Sequence, residues 1–259
     1  MSFLADNTTD SYEDKPAIVT ISGRHGLGKT TIASHWPLAY LANTEKSTPK
    51  GVNIPSMKIT HAQQLFDLVA ALLNEDHDYK TLIVDTVDTF EGMLEDMICK
   101  QMGWDNISAP DFGVGYTEAA NRFGYLMQGF QKLRDVKKMH IVLLAHVEVA
   151  RFDDPRTGSY STYDIAVRRR VREVLSNLSD AIFFMALDPT LKEKKGESTK
   201  ASASQNIYLF TQPSVSFNAK NPWEMPKKVL VPKEDPFSAV AEHLPGLGQV
   251  IKTATQEAA

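Results

Sequence analysis

The sequence predicts an α/β fold: a mainly parallel central sheet with helices on both faces and late antiparallel strands. Three observations carry that expectation. Ala17–Ser22 (AIVTIS), Leu82–Asp85 (LIVD) and His140–Ala145 (HIVLLA) are short apolar runs of the kind that form strands buried on both faces. Helical patterns occupy much of the chain between them. The first run leads through a glycine-rich turn, Gly23-Arg24-His25-Gly26-Leu27-Gly28-Lys29-Thr30, straight into a stretch with no helix breaker before Pro37.

Composition bounds the answer. A chain of 259 residues suits one large α/β domain, alone or with a small appendage. Its net charge of −4 gives no overall attraction to nucleic acid or to an anionic membrane, so any nucleic-acid site must be a local basic patch. Cys99 is the single cysteine, which excludes an internal disulfide and suits a cytoplasmic setting. No apolar run is long enough to span a bilayer, and no membrane partner is expected.

Residues 1–15 are polar and acidic and read as a flexible leader, ahead of a core over 16–232 and a C-terminal tail over 233–259. The turn after the first strand matches G-x-x-x-x-G-K-T. Its glycines let the backbone wrap an anion, and successive N–H groups at a helix N-terminus point at phosphates. Gly23, His25, Gly26, Leu27, Gly28, Lys29, Thr30 and Thr31 are therefore candidate contacts to ATP. Lys29 would reach the β- and γ-phosphates, and the Thr30 hydroxyl would hold Mg²⁺. Leu38–Ala42 reads as a second strand ending at Asn43-Thr44-Glu45, followed by loop to Pro55. Leu65, Leu68, Val69, Leu72 and Leu73 then recur at helical spacing, with Thr60 as N-cap and Gln63 as its capping-box partner.

Leu82–Asp85 is a buried strand ending in a carboxylate, about fifty residues after the turn, as in a Walker B element, where Asp85 would hold the water shell of Mg²⁺. Thr86 follows, at the place where helicases and AAA+ proteins usually carry a catalytic glutamate. Asp88 and Glu91 fit a capping box. Glu45 would face the same crevice if its strand neighbours the Asp85 strand, and would there orient the attacking water. A helix is expected over about 88–102, a loop over 103–116 and a helix from Thr117 to about Lys138. His146, at the end of the HIVLLA strand, is a candidate γ-phosphate sensor. Residues 147–166 read as an exposed loop, and Ala181–Leu187 as a further strand. Residues 189–206 read as a mobile loop, and Ile207–Thr211 and Lys228–Val231 as later strands. Basic groups interleaved with aromatics at 151–172 suit single-stranded nucleic acid, whose bases stack and whose phosphates pair.

With the P-loop, the Asp85-Thr86 strand end, Glu45 and the Ala219-Lys220-Asn221 stretch in view, the chain resembles the RecA-like P-loop NTPases over residues 16–232. More closely, it resembles small phage nucleotide-binding proteins that act as single-strand annealing or recombination ATPases. The resemblance implies that the 140–145 strand lies between strands 17–22 and 81–85, bringing His146, Asp85 and Lys29 to one phosphate. It implies a ring or filament of copies with ATP between subunits, in which Lys220 reaches the neighbour's nucleotide. Many related phage sequences carry Arg where this chain has Pro222, so a second cationic contact is not expected. It implies single-stranded DNA as partner, with a phage single-strand-binding protein as a further one. Two loops would hold the DNA, with Phe112 and Tyr116 in 103–116 and with Arg151, Phe152, Arg156 and Tyr160 in 147–166, joined by Arg168 and Arg169. A nucleotide-dependent loader or motor acting on a protein partner is the alternative function.

Overall fold

The structure, a computed structural model, describes residues 15–47, 49–154, 158–191 and 201–247, with 189–191 and 201–205 described by their backbone alone. In chain order the elements are β1 (Ile18–Gly23), α1 (Lys29–Ser34), β2 (Ala39–Asn43), β3 (Ser56–Lys58), α2 (Ala62–Asn74), β4 (Thr81–Asp85), α3 (Val87–Met102) and α4 (Val114–Val136). They continue with β5 (His140–Ala145), β6 (Val147–Asp154), β7 (Gly158–Ile165), α5 (Arg169–Leu178), β8 (Ala181–Leu191), β9 (Ala201–Phe210), β10 (Lys228–Leu230) and α6 (Ser238–Ala241).

Eight strands form one sheet in the order β10-β9-β8-β1-β5-β4-β2-β3. The six from β8 to β3 run parallel, while β9 and β10 are antiparallel additions at one edge. β5 sits between β1 and β4, in register Ser22↔Ala145 and Asp85↔Leu144. β2 lies beside β4, with Asn43 opposite Asp85. The expected mixed fold and the expected order of these strands are what the structure has.

Side chains alternate between two cores. Ile18, Leu82, Val84, Ile141 and Leu143 face a layer made by α2, α3, α4 and α5 through Leu65, Phe90, Phe123 and Val171. Val19, Ile21, Ile83, Val142 and Leu144 face the other way, onto Ile32 of α1 and Phe237, Val240, Leu244 and Leu247. A central strand therefore buries every residue, as the continuous apolar runs require. The stretch after 232, expected as a tail, covers the second face as far as Leu247, because α1 alone is too short to shield it.

Several local expectations are corrected. Val147–Asp154 and Gly158–Ile165, expected within a loop over 147–166, instead form a two-stranded ribbon, β6 paired antiparallel with β7. The 103–116 loop shortens: α4 already starts at Val114, after a single 3₁₀ turn at Asp111–Gly113. Strand pairing in β8 and β9 extends through Pro189↔Ala203 to Leu191↔Ala201, into the supposed loop over 189–206, of which 192–200 lie outside the described residues. Gln64, not Gln63, accepts from the Thr60 and His61 backbone at the start of α2, since the helix begins one turn position later than expected. Gln63 instead donates to Asp67. The leader is described only at Lys15. Among the described residues no helix is long and apolar enough to cross a membrane.

Two glycines in α4 make opposite predictions. A Cβ on Gly115 would lie 2.0 Å from the Ile107 carbonyl oxygen, whereas one on Gly124 would meet nothing within 4 Å. Gly115→Ala is expected to cost at least about 2 kcal/mol by overpacking. Gly124→Ala is expected to stabilise by about 0.5–1 kcal/mol, because alanine loses less backbone entropy in a helix. Urea denaturation of both variants measures the pair.

Candidate nucleotide site

The site forms where β1, β5, β4 and β2 end side by side. After β1 the chain turns through Gly26 (φ 76°) and Gly28 (φ 91°), a backbone that a side chain would strain. Gly28 is the N-cap of α1, so the P-loop empties into a helix start. Arg24, His25 and Gly26 are exposed, Leu27 and Thr30 half-buried, and Thr31 exposed on the first turn of α1.

Lys29 is 5% exposed, and its ammonium donates to the carbonyls of Gly23 (2.9 Å) and Arg24 (3.1 Å). Burial lowers its pKa, while the charges of Asp85, Asp88 and Glu45 oppose that shift. A buried cation bonded to backbone oxygens is a fit for phosphate. The Thr30 hydroxyl donates to Asp85 at 2.7 Å, the pair of oxygens that Mg²⁺ would join. Burial raises the pKa of Asp85, against the lowering effect of that hydroxyl. A bound cation would favour the ionised form.

Glu45 follows β2 and is drawn to the end of β4. The Thr44 and Glu45 N–H groups both donate to the Asp85 carbonyl, at 2.8 and 3.2 Å. Thr86 and Thr89 donate their hydroxyls to Glu45 Oε1, each at 2.9 Å. His146, one residue past β5, has its ring Nδ1 2.9 Å from Asp88 Oδ2 and 3.9 Å from Glu45 Oε1. His25 of the P-loop stacks on it at 3.5 Å between ring centroids. The structure therefore gathers Lys29, Thr30, Asp85, Glu45, His146 and His25 at one sheet end.

Asp88 and Glu91 do not form the expected capping box. Thr86 is the N-cap of α3, which places Asp88 two positions inside, where it accepts from the His146 backbone N–H and meets the His146 ring. Burial would raise the pKa of Asp88, but those hydrogen bonds hold it below the ordinary carboxylate range. The signal that would have exposed this role was the polar strand end at His146, which needed a partner from the next element.

The other candidates lie away from the cluster. Lys220 donates to the carbonyls of Ser179 (2.7 Å) and Ser176 (3.4 Å) at the C-terminus of α5, at the sheet end opposite the P-loop. Phe112 is fully exposed with φ 57°, and Tyr116 lies in the first turn of α4 under the Arg168 guanidinium, 4.6 Å from its ring. Arg168 also pairs with Glu95, and Arg169 with Glu173. On the ribbon Phe152 is opposite Tyr160 on one face, with ring centroids 5.5 Å apart, while Arg151 faces the other side. Arg156 lies outside the described residues.

Glu91 is 6% exposed and accepts the Arg168 N–H through both carboxylate oxygens, at 3.0 and 3.1 Å. Burial pushes its pKa up from 4.5 to about 7, against the Arg168 N–H. Between those values the folded state holds a proton that the unfolded state has lost. Stability therefore falls as pH rises from 4.5 to about 7, and the cost, on the order of 3 kcal/mol, is fully in place above that. Glu91→Gln keeps an acceptor for the N–H without the titration. Relative to wild type the variant is expected to gain stability progressively across that window, read by denaturation at a series of pH values.

A family model described as an AAA domain matches residues 15–223. No curated protein matches the chain. The matched span takes in the P-loop, Asp85, Glu45 and His146 and every strand of the parallel sheet. With the phosphate-fitting turn and the Thr30–Asp85 pair already on the same sheet end, the chain belongs to the AAA-domain family of nucleotide-dependent P-loop ATPases.

Proposed function

We propose that the chain is an ATPase that binds single-stranded DNA and promotes annealing or strand exchange, as in phage-type recombination. The observation that carries this reading is the double position of His146. Its ring lies in the nucleotide cluster, and the next residue, Val147, begins the exposed ribbon β6–β7. Nucleotide state and ribbon position therefore share one residue.

In this reading Lys29 and the P-loop N–H groups of residues 23–31 hold the phosphates of ATP, and Thr30 and Asp85 hold Mg²⁺, which supplies charge neutralisation at the transferring phosphoryl group. Glu45 orients the attacking water, with its Oε1 fixed by two threonine hydroxyls so that the carboxylate is set before substrate arrives. His146 stands beside Glu45 at the γ-phosphate end of the site. Phe152 and Tyr160 offer a paired aromatic face to bases, with Phe112 on the α3–α4 connection, Tyr116 in the first turn of α4, and Arg151, Arg168 and Arg169 for phosphates. Lys220 is at the sheet end opposite its own P-loop, so it reaches a nucleotide only in a head-to-tail stack, where it meets the neighbour's. That arrangement supports a ring or filament with ATP between subunits; a phage single-strand-binding protein as a further partner rests on the sequence resemblance alone.

Binding to a labelled single-stranded oligonucleotide at fixed salt tests the proposal, with no nucleotide, with ADP, and with a slowly hydrolysed ATP analogue plus Mg²⁺. The analogue is expected to tighten binding by about tenfold or more, and Lys29→Ala to abolish the gain. No binding in any nucleotide state would overturn the DNA reading. The acidic groups on the ribbon, Glu148, Asp153 and Asp164, would then favour a loader or motor acting on a protein partner.

A further inference from the structure

We infer that Asp88 is a positioning residue for the hydrolytic step: it fixes which ring nitrogen of His146 carries hydrogen and which faces the ligand. The inference rests on the nucleotide reading of the site given above.

The geometry is specific. One carboxylate takes two hydrogen bonds from the same residue, Oδ1 from the His146 backbone N–H at 2.8 Å and Oδ2 from its Nδ1 at 2.9 Å. An ionised carboxylate has no hydrogen to give and only accepts, so at 2.9 Å the hydrogen lies on Nδ1. Glu45 Oε1, at 3.9 Å, stands on the same edge of the ring and reinforces the choice. His25 covers a face of the ring. No described residue hydrogen-bonds to Nε2, which is the nitrogen left for a ligand. The His146 side chain is 12% exposed and that of Asp88 15%, so the pair is shielded from water that would otherwise compete for it.

The consequence is chemical. In the neutral ring Nε2 bears a lone pair, and its natural partner is a hydrogen of the attacking water rather than a phosphate oxygen. The logic is that of any carboxylate–histidine pair, in which the acid sets the tautomer and the orientation of the ring. Glu45 and His146 would then hold one water from two sides. The water oxygen forms its bond to the γ-phosphorus as the bond from that phosphorus to the bridging oxygen breaks, ADP leaves with the electron pair, and the proton the water gives up passes to the Glu45 carboxylate and from it to the released phosphate. Asp88 touches neither water nor nucleotide; it acts through His146.

Two measurements test this. Nitrogen-detected NMR of the histidine rings, with His146 assigned through His146→Gln, reads the tautomer in the nucleotide-free protein. Wild type is expected to show Nδ1–H, and Asp88→Asn, whose amide can donate, to shift the ring toward Nε2–H. Steady-state ATP hydrolysis gives the second readout: Asp88→Asn is expected to lower kcat by about tenfold or more with KM little changed, Asp88→Glu to restore part of it, and Asp88→Asn added to His146→Ala to cost nothing further. Retained binding of the ATP analogue shows that each variant is folded. An Nε2–H signature in wild type, an unchanged kcat in Asp88→Asn, or additive losses in the double variant would overturn the inference. If the wild type bound no nucleotide, the reading of the site would fail instead, while the ring spectrum would still decide whether Asp88 sets the tautomer.

Discussion

The placement of β5 between β1 and β4 is the constraint on which the site depends. It sets the ends of three strands in one line, so that Gly23, Asp85 and His146 emerge together. The register is enforced by burial on both sides, because Val142 and Leu144 point into one core and Ile141 and Leu143 into the other. A slip of one residue would exchange those faces and move His146 by about 3.3 Å along the strand. That displacement exceeds the tolerance of a hydrogen bond, so the Asp88–His146 contact survives in one register only.

Electrostatics explains how three carboxylates crowd one sheet end beside a lysine. Asp85, Glu45 and Asp88 all bring negative charge near Lys29, as their effects on its pKa show. Yet none of the three hydrogen-bonds to that ammonium. Asp85 takes the Thr30 hydroxyl, Glu45 takes Thr86 and Thr89, and Asp88 takes His146. Each carboxylate has a donor other than the lysine, and Lys29 bonds to two carbonyls. A direct ion pair at about 4 Å would be worth roughly 4 kcal/mol at a protein-like dielectric. Leaving it unmade keeps both signs of charge available. The arrangement favours a ligand that brings an anion to the lysine and a divalent cation to the carboxylates at the same time.

The buried strands were legible in the sequence because continuous apolar runs have few alternatives, and the P-loop because its glycines have a steric reason. The ribbon β6–β7 was not. Val147–Asp154 reads VEVARFDD and both of its faces are largely open to solvent, so no period-two pattern was imposed on it. Its turn signals, Asp154-Pro155 and Thr157-Gly158, were visible but mark loops and hairpins alike. β3 has three residues and an exposed edge, too little for any pattern. The roles of Asp88 and Glu91 depend on which residue starts α3. A shift of two positions turns a capping box into a pair of long-range contacts, and element boundaries are what local sequence specifies least.

Those contacts make α3 the link between the strand ends and the ribbon. Asp88, Glu91 and Glu95 lie on successive turns of one face of the helix. Asp88 holds His146, directly before β6, and Glu91 and Glu95 hold Arg168, shortly after β7. One helix face therefore grips both roots of the ribbon. The helix itself begins two residues after Asp85, whose side chain is bonded to Thr30 of the P-loop. Between Asp85 and the ribbon there is thus a single helix, α3. If the two sites are coupled through α3, whatever factor ligand at the Thr30–Asp85 pair imposes on binding at the ribbon is returned in equal measure. The ribbon is anchored on its far side as well, by the Tyr163 ring against Phe184 and the Tyr163 N–H to the Ser216 carbonyl, and Arg151, Phe152 and Tyr160 lie beyond these contacts.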